Sequence, residues 1–291
     1  MITVSLEMLS LRIAMDTLSS LFTQYTLSAT VFFSGRLCGI SSDHASDTAG
    51  HLHVLRRGTL RIERGRKKPQ VVSEPAVLFS PRPQIHRFTT DKEIGAELVC
   101  ATVEFGAGML NPVVRSLPDL LVVVLRTMPA LEPAVDLLFT EAFAADTGRQ
   151  AAVNRLAEYV ILLLLRNAGS TNLIRKGTLA GLADPRLSKA ISAIHAGPAL
   201  PWTLESMAEE AGMSRARFAL HFNNVVGTTP FDYLAEWRIG TAQAMLKRGQ
   251  ALKLVAPEVG YSGTAALSRA FLKHTGETPT GWLARNSDAK V

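Results

Sequence analysis

One unit of about two dozen residues is written twice in the last third of the chain. From Gly212 the sequence reads G-M-S-R-A-R-F-A-L-H-F-N-N-V-V-G-T-T-P-F-D-Y-L, and from Gly260 it reads G-Y-S-G-T-A-A-L-S-R-A-F-L-K-H-T-G-E-T-P-T-G-W-L. Gly212 matches Gly260 and Gly227 matches Gly276. Phe218 and Phe222 match Leu267 and Phe271, Thr229-Pro230 matches Thr278-Pro279, and Tyr233 matches Trp282. Self-similarity at a period of this size demands two like supersecondary units, which limits the fold more than any other property of the chain.

Each copy reads as helix, tight turn, helix. Thr203 is placed to cap a helix through Ala211, Gly212 suits the left-handed position that ends it, and Ser214 can cap the next. That second helix carries Phe218, Phe222 and Val225 at i, i+4, i+7, one buried stripe, and turns Arg215, Arg217, His221 and Asn224 outward. A second helix with a donor-rich outer face is the helix-turn-helix layout, in which that helix enters the major groove of DNA. Pro230 opens a helix through Lys247, about 27 Å at ~1.5 Å per residue, a spacer able to hold two reading helices about one DNA turn apart.

Residues 185 to 291 resemble the DNA-binding domain of the AraC/XylS family of bacterial transcription regulators. The likeness rests on A-E-E-A-G-M-S-R-A-R-F, G-T-T-P-F-D-Y-L-A-E-W-R, V-G-Y-S-G-T-A-A-L-S-R-A-F and G-E-T-P-T-G-W-L. It implies two helix-turn-helix units, at about 204–226 and 252–275. It implies DNA contact by Ser214, Arg215, Arg217, His221 and Asn224 in the first unit, and by Thr264, Ala265, Ser268, Arg269 and Lys273 in the second. The second copy departs from the family pattern at Pro257, at Gly263 where a capping residue is usual (Ser262 could substitute), and at Leu267. In the first copy Leu220-His221 and Asn223-Asn224 stand where Arg and Lys are common. The first copy is therefore expected to be the better reader, and the second to hold phosphate through Arg269, Lys273 and His274.

Charge agrees with a nucleic-acid partner. The formal net charge is +6; from Pro185 onward 12 Lys and Arg face 8 Asp and Glu, so +4 of it lies there. The first 14 residues lack the basic start of a secretory signal, and Met15-Asp16-Thr17-Leu18-Ser19 matches the opening common in the family, so Met15 is expected to be the true start. The apolar runs at Leu120–Leu125 and Val160–Leu165 fall far short of the ~20 residues of a membrane span. Two cysteines fit a reducing, cytoplasmic setting.

From Ala29 to Phe105 the chain changes character. Val31–Phe33, His51–Arg61, Val71-Val72, Ala76–Phe79, Arg87-Phe88 and Glu97–Phe105 are short β-rich runs with turn residues between them, the signature of a small barrel or sandwich. V-L-R-R-G-T-L-R-I-E followed by A-V-L-F-S-P-R-P-Q-I-H-R-F resembles the cupin barrel, the common sensor domain of the family. In cupin enzymes a metal is held by His-x-His, an acid and a later His. His86 answers to the later one, but His51-x-His53 lies too close to Gly58, and only His44 and Asp47 occupy the expected region. The enzyme-type metal set is therefore out of register.

Cys38, His86 and Cys100 fall on or beside three strands expected to line the barrel. Three readings stand open: a zinc site, with bonds of roughly 2.0–2.3 Å; a thiol pair made reactive by a nearby imidazolium; or two buried small apolar side chains beside a satisfied histidine. The cofactor is accordingly zinc or none.

From Leu117 to Ala168 the pattern reads as helical, with Val135, Leu138, Phe139 and Phe143 on one face and Leu156, Val160, Leu163 and Leu164 on another. By resemblance this region joins two subunits, predicting a homodimer through Val153–Leu165; packing on the chain's own barrel is the rival. The expected organisation is an α+β chain: leader and short helix 1–28, sensor barrel 29–116, helical region 117–168, linker 169–184, DNA-binding domain 185–291. The function expected is a sequence-specific transcription regulator acting on double-stranded promoter DNA and RNA polymerase, its barrel sensing a small molecule or a redox signal. The rivals are a cupin-type metalloenzyme with a basic helical appendage, and an adaptor whose repeats no longer hold DNA.

Overall fold

The computed structural model describes residues 21–22, 26–41, 49–106, 111–170 and 176–287, the side chains of 169–170 and 286–287 aside. The leader, the Met15 start, His44 and Asp47 lie outside these residues. The described chain divides into two compact units, one spanning Thr26–Met109 and Val113–Ile174, the other built from Arg175–Val291.

The first unit holds two antiparallel sheets. One has the order β1-β7-β2-β5-β8 and the other β4-β3-β6. The strands are β1 (Leu27–Leu37), β2 (Gly50–Arg57), β3 (Leu60–Glu63), β4 (Gln70–Val72), β5 (Ala76–Ser80), β6 (Arg87–Thr89), β7 (Ala96–Phe105) and β8 (Leu121–Val124). The run expected over His51–Arg61 breaks at Gly58. There φ is +94°, and a Cβ would lie 2.4 Å from the Gly95 carbonyl oxygen, so only glycine fits the turn. Leu55, Leu60, Ile62, Leu78, Phe88, Leu98 and Cys100 pack together between the sheets.

Leu121–Val124 corrects the helical reading of 117–168. A Leu-Val-Val-Val run suits a pleated surface better than a helix, and it pairs with β5 from Ala76↔Val124 to Phe79↔Leu121. A short helix, α1 (Pro112–Ser116), precedes it; α2 (Glu132–Phe143) and α3 (Arg149–Ser170) follow. Helix α3 covers the open edge of β1. Val31 N–H donates to Asn154 Oδ1 at 2.9 Å, Gln150 Nε2 donates to Val31 O at 2.9 Å, and Ala29 N–H donates to Glu158 Oε1 at 3.3 Å. Val153, Val160, Leu163 and Leu164 are buried within the single chain, Leu163 at 6% exposure. The apolar face assigned to a dimer contact is thus spent on the unit's own core.

The second unit is all helical: α4 (Thr178–Ala183), α5 (Leu187–Ala196), α6 (Leu204–Glu210), α7 (Arg215–Val226), α8 (Pro230–Lys247), α9 (Leu252–Glu258), α10 (Thr264–Thr275) and α11 (Pro279–Ser287). Helices α6 and α7 together run from Leu204 to Val226, and α9 and α10 from Leu252 to Thr275. Gly212 and Gly260, and likewise Gly227 and Gly276, take positive φ at matching turns, so the repeated glycines mark repeated backbone geometry. Thr203 caps α6 through a reciprocal capping box with Ser206.

Four local readings need correction. Residues 178–183, placed in the linker, are helix α4: Gly177 N–H bonds Val225 O at 3.0 Å, and Gly181 sits where a Cβ would come within 2.6 Å of Ile191 and 2.8 Å of Val226. The residue buried at the end of the α7 stripe is Val226, with Val225 half-buried. Ser214 occupies the N-cap of α7 but makes no side-chain cap bond, and the N-cap of α10 is Gly263, which has no side chain to make one, so Ser262 does not substitute. Pro257 lies inside α9, one residue before its end at Glu258, and supplies no N–H to the Lys253 carbonyl four residues back.

Candidate nucleic-acid interface and the barrel histidines

Helix α7 is anchored from behind. Phe218 and Phe222 are fully buried, and Phe222 meets the Tyr233 ring edge-on at 5.5 Å. This leaves Ser214, Arg215, Ala216, Arg217, Leu220, Asn223 and Asn224 exposed. In α10 the anchors are Leu267 and Phe271, the latter edge-on to Trp282 at 5.8 Å. Thr264, Ala265, Arg269 and Lys273 are exposed there and Ser268 is half-buried. The candidates in each copy therefore lie on the side of their helix away from its core, as a groove-entering helix requires.

His221 is engaged differently from the expectation. Its Nε2 lies 2.7 Å from Asp184 Oδ2. The other carboxylate oxygen of Asp184 accepts the backbone N–H groups of Arg186 and Leu187, each at 2.9 Å, at the start of α5. Burial raises the Asp184 pKa, but the two backbone donors and His221 outweigh it, and the carboxyl is held below its ordinary value. His221 thus ties the reading helix to the α4–α5 joint. Beside it opens a shallow cavity of about 390 Å³, whose lining includes Arg186, Arg217, Leu220 and Asn224.

The sensor trio does not assemble. Cys100 pairs across the sheet with Phe33 and with His53, whereas Leu37, the residue before Cys38, pairs with Ala96. Five residues of strand separate Cys38 from the Phe33 position, roughly 16 Å at ~3.3 Å per residue. That is beyond the ~7 Å Cα separation a disulfide allows, and it also removes Cys38 from any shared zinc shell. Cys38 is exposed, and the point where a Gly95 Cβ would sit is 2.8 Å from its Sγ and 3.0 Å from Arg36 Nε. Cys100 is buried, and burial pushes its thiol pKa up, so it stays protonated and unreactive.

The structure gathers His86 with the two histidines set aside on spacing. His51, His53 and His86 are buried, at 2%, 3% and 3% exposure. His86 Nε2 lies 2.8 Å from His53 Nε2, and the His51 and His86 ring centroids are 5.0 Å apart. The Gln84 carbonyl, 3.1 Å from His86 Nδ1, can only accept, so His86 carries a proton on Nδ1. The signal was in the sequence: alternate strand residues share a face, and His51-x-His53 faces the lumen that His86 enters. What could not be read was that β2 runs antiparallel to β5, His51 opposite Ser80 and His53 opposite Leu78, so that the following turn returns His86 onto them. A bulge in β1 at Phe32 brings its ring edge-on to His51 at 6.4 Å. Among the described residues no group of three or more His, Cys, Asp or Glu has the arrangement of a metal shell.

A two-sheet barrel with buried polar residues between its sheets, followed by a doubled helix-turn-helix unit with outward reading faces, defines a DNA-binding regulator with a cupin-like domain. The chain belongs to the AraC/XylS family of transcription regulators with an N-terminal cupin domain. A cupin family model matches residues 16–168, and a helix-turn-helix domain model matches residues 207–285. An AraC-like transcription regulator of Streptomyces lividans is 29% identical over 91% of this chain and 95% of its own length. An HTH-type transcriptional regulator of Haemophilus influenzae is 28% identical over 83% and 88%. The RCS-specific HTH-type transcriptional activator RclR of Escherichia coli K12 is 28% identical over 80% and 84%.

Proposed function

We propose that this regulator acts in the cytoplasm as a homodimer on double-stranded promoter DNA, with α7 and α10 entering successive major grooves and RNA polymerase as its downstream partner. The observation that carries this reading is the pair of outward faces: exposed Arg215, Arg217 and Asn224 on α7 with Ser214 at its N-cap, and exposed Thr264, Ala265, Arg269 and Lys273 on α10 with Ser268 half-buried among them. His221 contributes by holding α7 in place. Because the inner face of α3 is consumed by the core, dimerisation through this helix uses its outward side, where Arg155 and Tyr159 are exposed.

The barrel supplies the sensor. His51, His53 and His86 offer a buried hydrogen-bonding cluster that suits a small polar effector. A redox signal would act through Cys38, the exposed thiol beside Arg36, rather than through a Cys38–Cys100 bridge. The test of the DNA reading is binding of purified protein to its selected site and to random duplex at one stated salt. Arg217→Ala is expected to weaken the selected site by ~1–3 kcal/mol more than random DNA; equal loss on both would make Arg217 a phosphate contact only.

A further inference from the structure

The two reading helices are chemically different at matched positions. Leu220 is 65% exposed on α7, a large apolar side chain in solvent on the face that carries Arg217 and Asn224. Counting from the aligned pairs Phe218/Leu267 and Phe222/Phe271, its counterpart on α10 is Arg269, and the counterpart of Asn223 is Leu272, 48% exposed. Leu220 is not among the buried residues of α7, which are Phe218, Phe222 and Val226. Ala216, one turn before Leu220, is also exposed, so the centre of the α7 face is apolar with amides and guanidiniums around it.

Major-groove edges offer one apolar group, the C5 methyl of thymine; adenine presents an acceptor–donor pair that suits Asn, and guanine two acceptors that suit Arg. We propose that the two units read different kinds of block: the first an A·T block, with Leu220 against a thymine methyl and the Asn223/Asn224 amides toward adenine, the second a block containing guanine, read by Arg269. This rests on the DNA-binding reading above and names what each unit recognises. It also reassigns Arg269, expected from sequence to hold phosphate, to a base edge.

The test starts from the full-length protein and a randomised duplex library. The enriched site is then remade with deoxyuridine in place of each thymine in turn, which removes one methyl and nothing else. One buried methyl is worth ~0.8 kcal/mol, so at one or two positions the wild type is expected to lose about fourfold in affinity. Leu220→Ala, at an exposed position and checked for an unchanged circular-dichroism spectrum, is expected to bind thymine and uracil sites equally at those positions. Arg269→Ala is expected to relax the choice of guanine in the other block only. Identical uracil penalties in wild type and Leu220→Ala, or a guanine requirement lost on Leu220→Ala, would overturn the assignment. A library with no enriched site would instead overturn the DNA-binding reading beneath it.

Discussion

His195 makes the DNA-binding unit acid-labile by a calculable amount. It sits on α5, with its ring stacked on Trp237 at a centroid distance of 3.4 Å and its Nε2 2.7 Å from the Tyr233 hydroxyl. Burial disfavours the imidazolium and pushes its pKa down to about 3. In the unfolded chain the ordinary value is ~6.5. Between these two values the unfolded state binds a proton that the native state refuses, so stability rises with pH through this window and is lost as pH falls below ~6.5. At pH 5 the loss from this one group is about 2 kcal/mol relative to neutral pH. The three tryptophans, Trp202, Trp237 and Trp282, all lie in the second unit, so their fluorescence follows its unfolding without a signal from the barrel. Denaturant titrations at pH 7 and pH 5 on wild type and His195→Gln isolate the effect, because every other titrating group is common to both. The wild type should lose about 2 kcal/mol more than the variant between the two pH values. Parallel losses would mean that His195 accepts its proton in the folded state, and the burial argument would be wrong.

Two further substitutions or probes check other parts of the structure, beside the Arg217→Ala comparison described above. Gly181→Ala places a Cβ within 3 Å of Ile191 and Val226 and should cost ~1–3 kcal/mol in the same fluorescence assay; an unchanged midpoint would mean that α4 is not packed against α5 and α7. Alkylation of the native protein should modify exposed Cys38 and spare Cys100 until denaturant is added. A peptide map showing both labelled at equal rates, or joined after mild oxidation, would refute the placement of the two thiols along β1 and β7.

The contrast between the two units explains what the sequence could and could not disclose. The helix-turn-helix signals are local: a glycine that ends a helix, a threonine that caps one, aromatic residues four apart. Each acts within a dozen residues, and the repeat carries the same geometry twice, in the positive-φ glycines Gly212 and Gly260 and in Gly227 and Gly276. Local chemistry is ambiguous at two places. A hydroxyl at Ser214 has the right position for a cap without making the bond, and Leu121–Val124, an apolar run too short to show a period, was absorbed into the helices that follow. The barrel's polar centre is non-local. His51 and His53 reach His86 only because β2 and β5 are antiparallel in one particular register, and Cys38 is kept from Cys100 by the same kind of fact, the pairing of Leu37 with Ala96. Counting residues from Gly58 tested the histidines against another protein's spacing, whereas the alternation of the strand already placed both on one face. The alternation of one strand sets the face that His51 and His53 share, whereas the register that brings His86 to them is a property of the folded sheet.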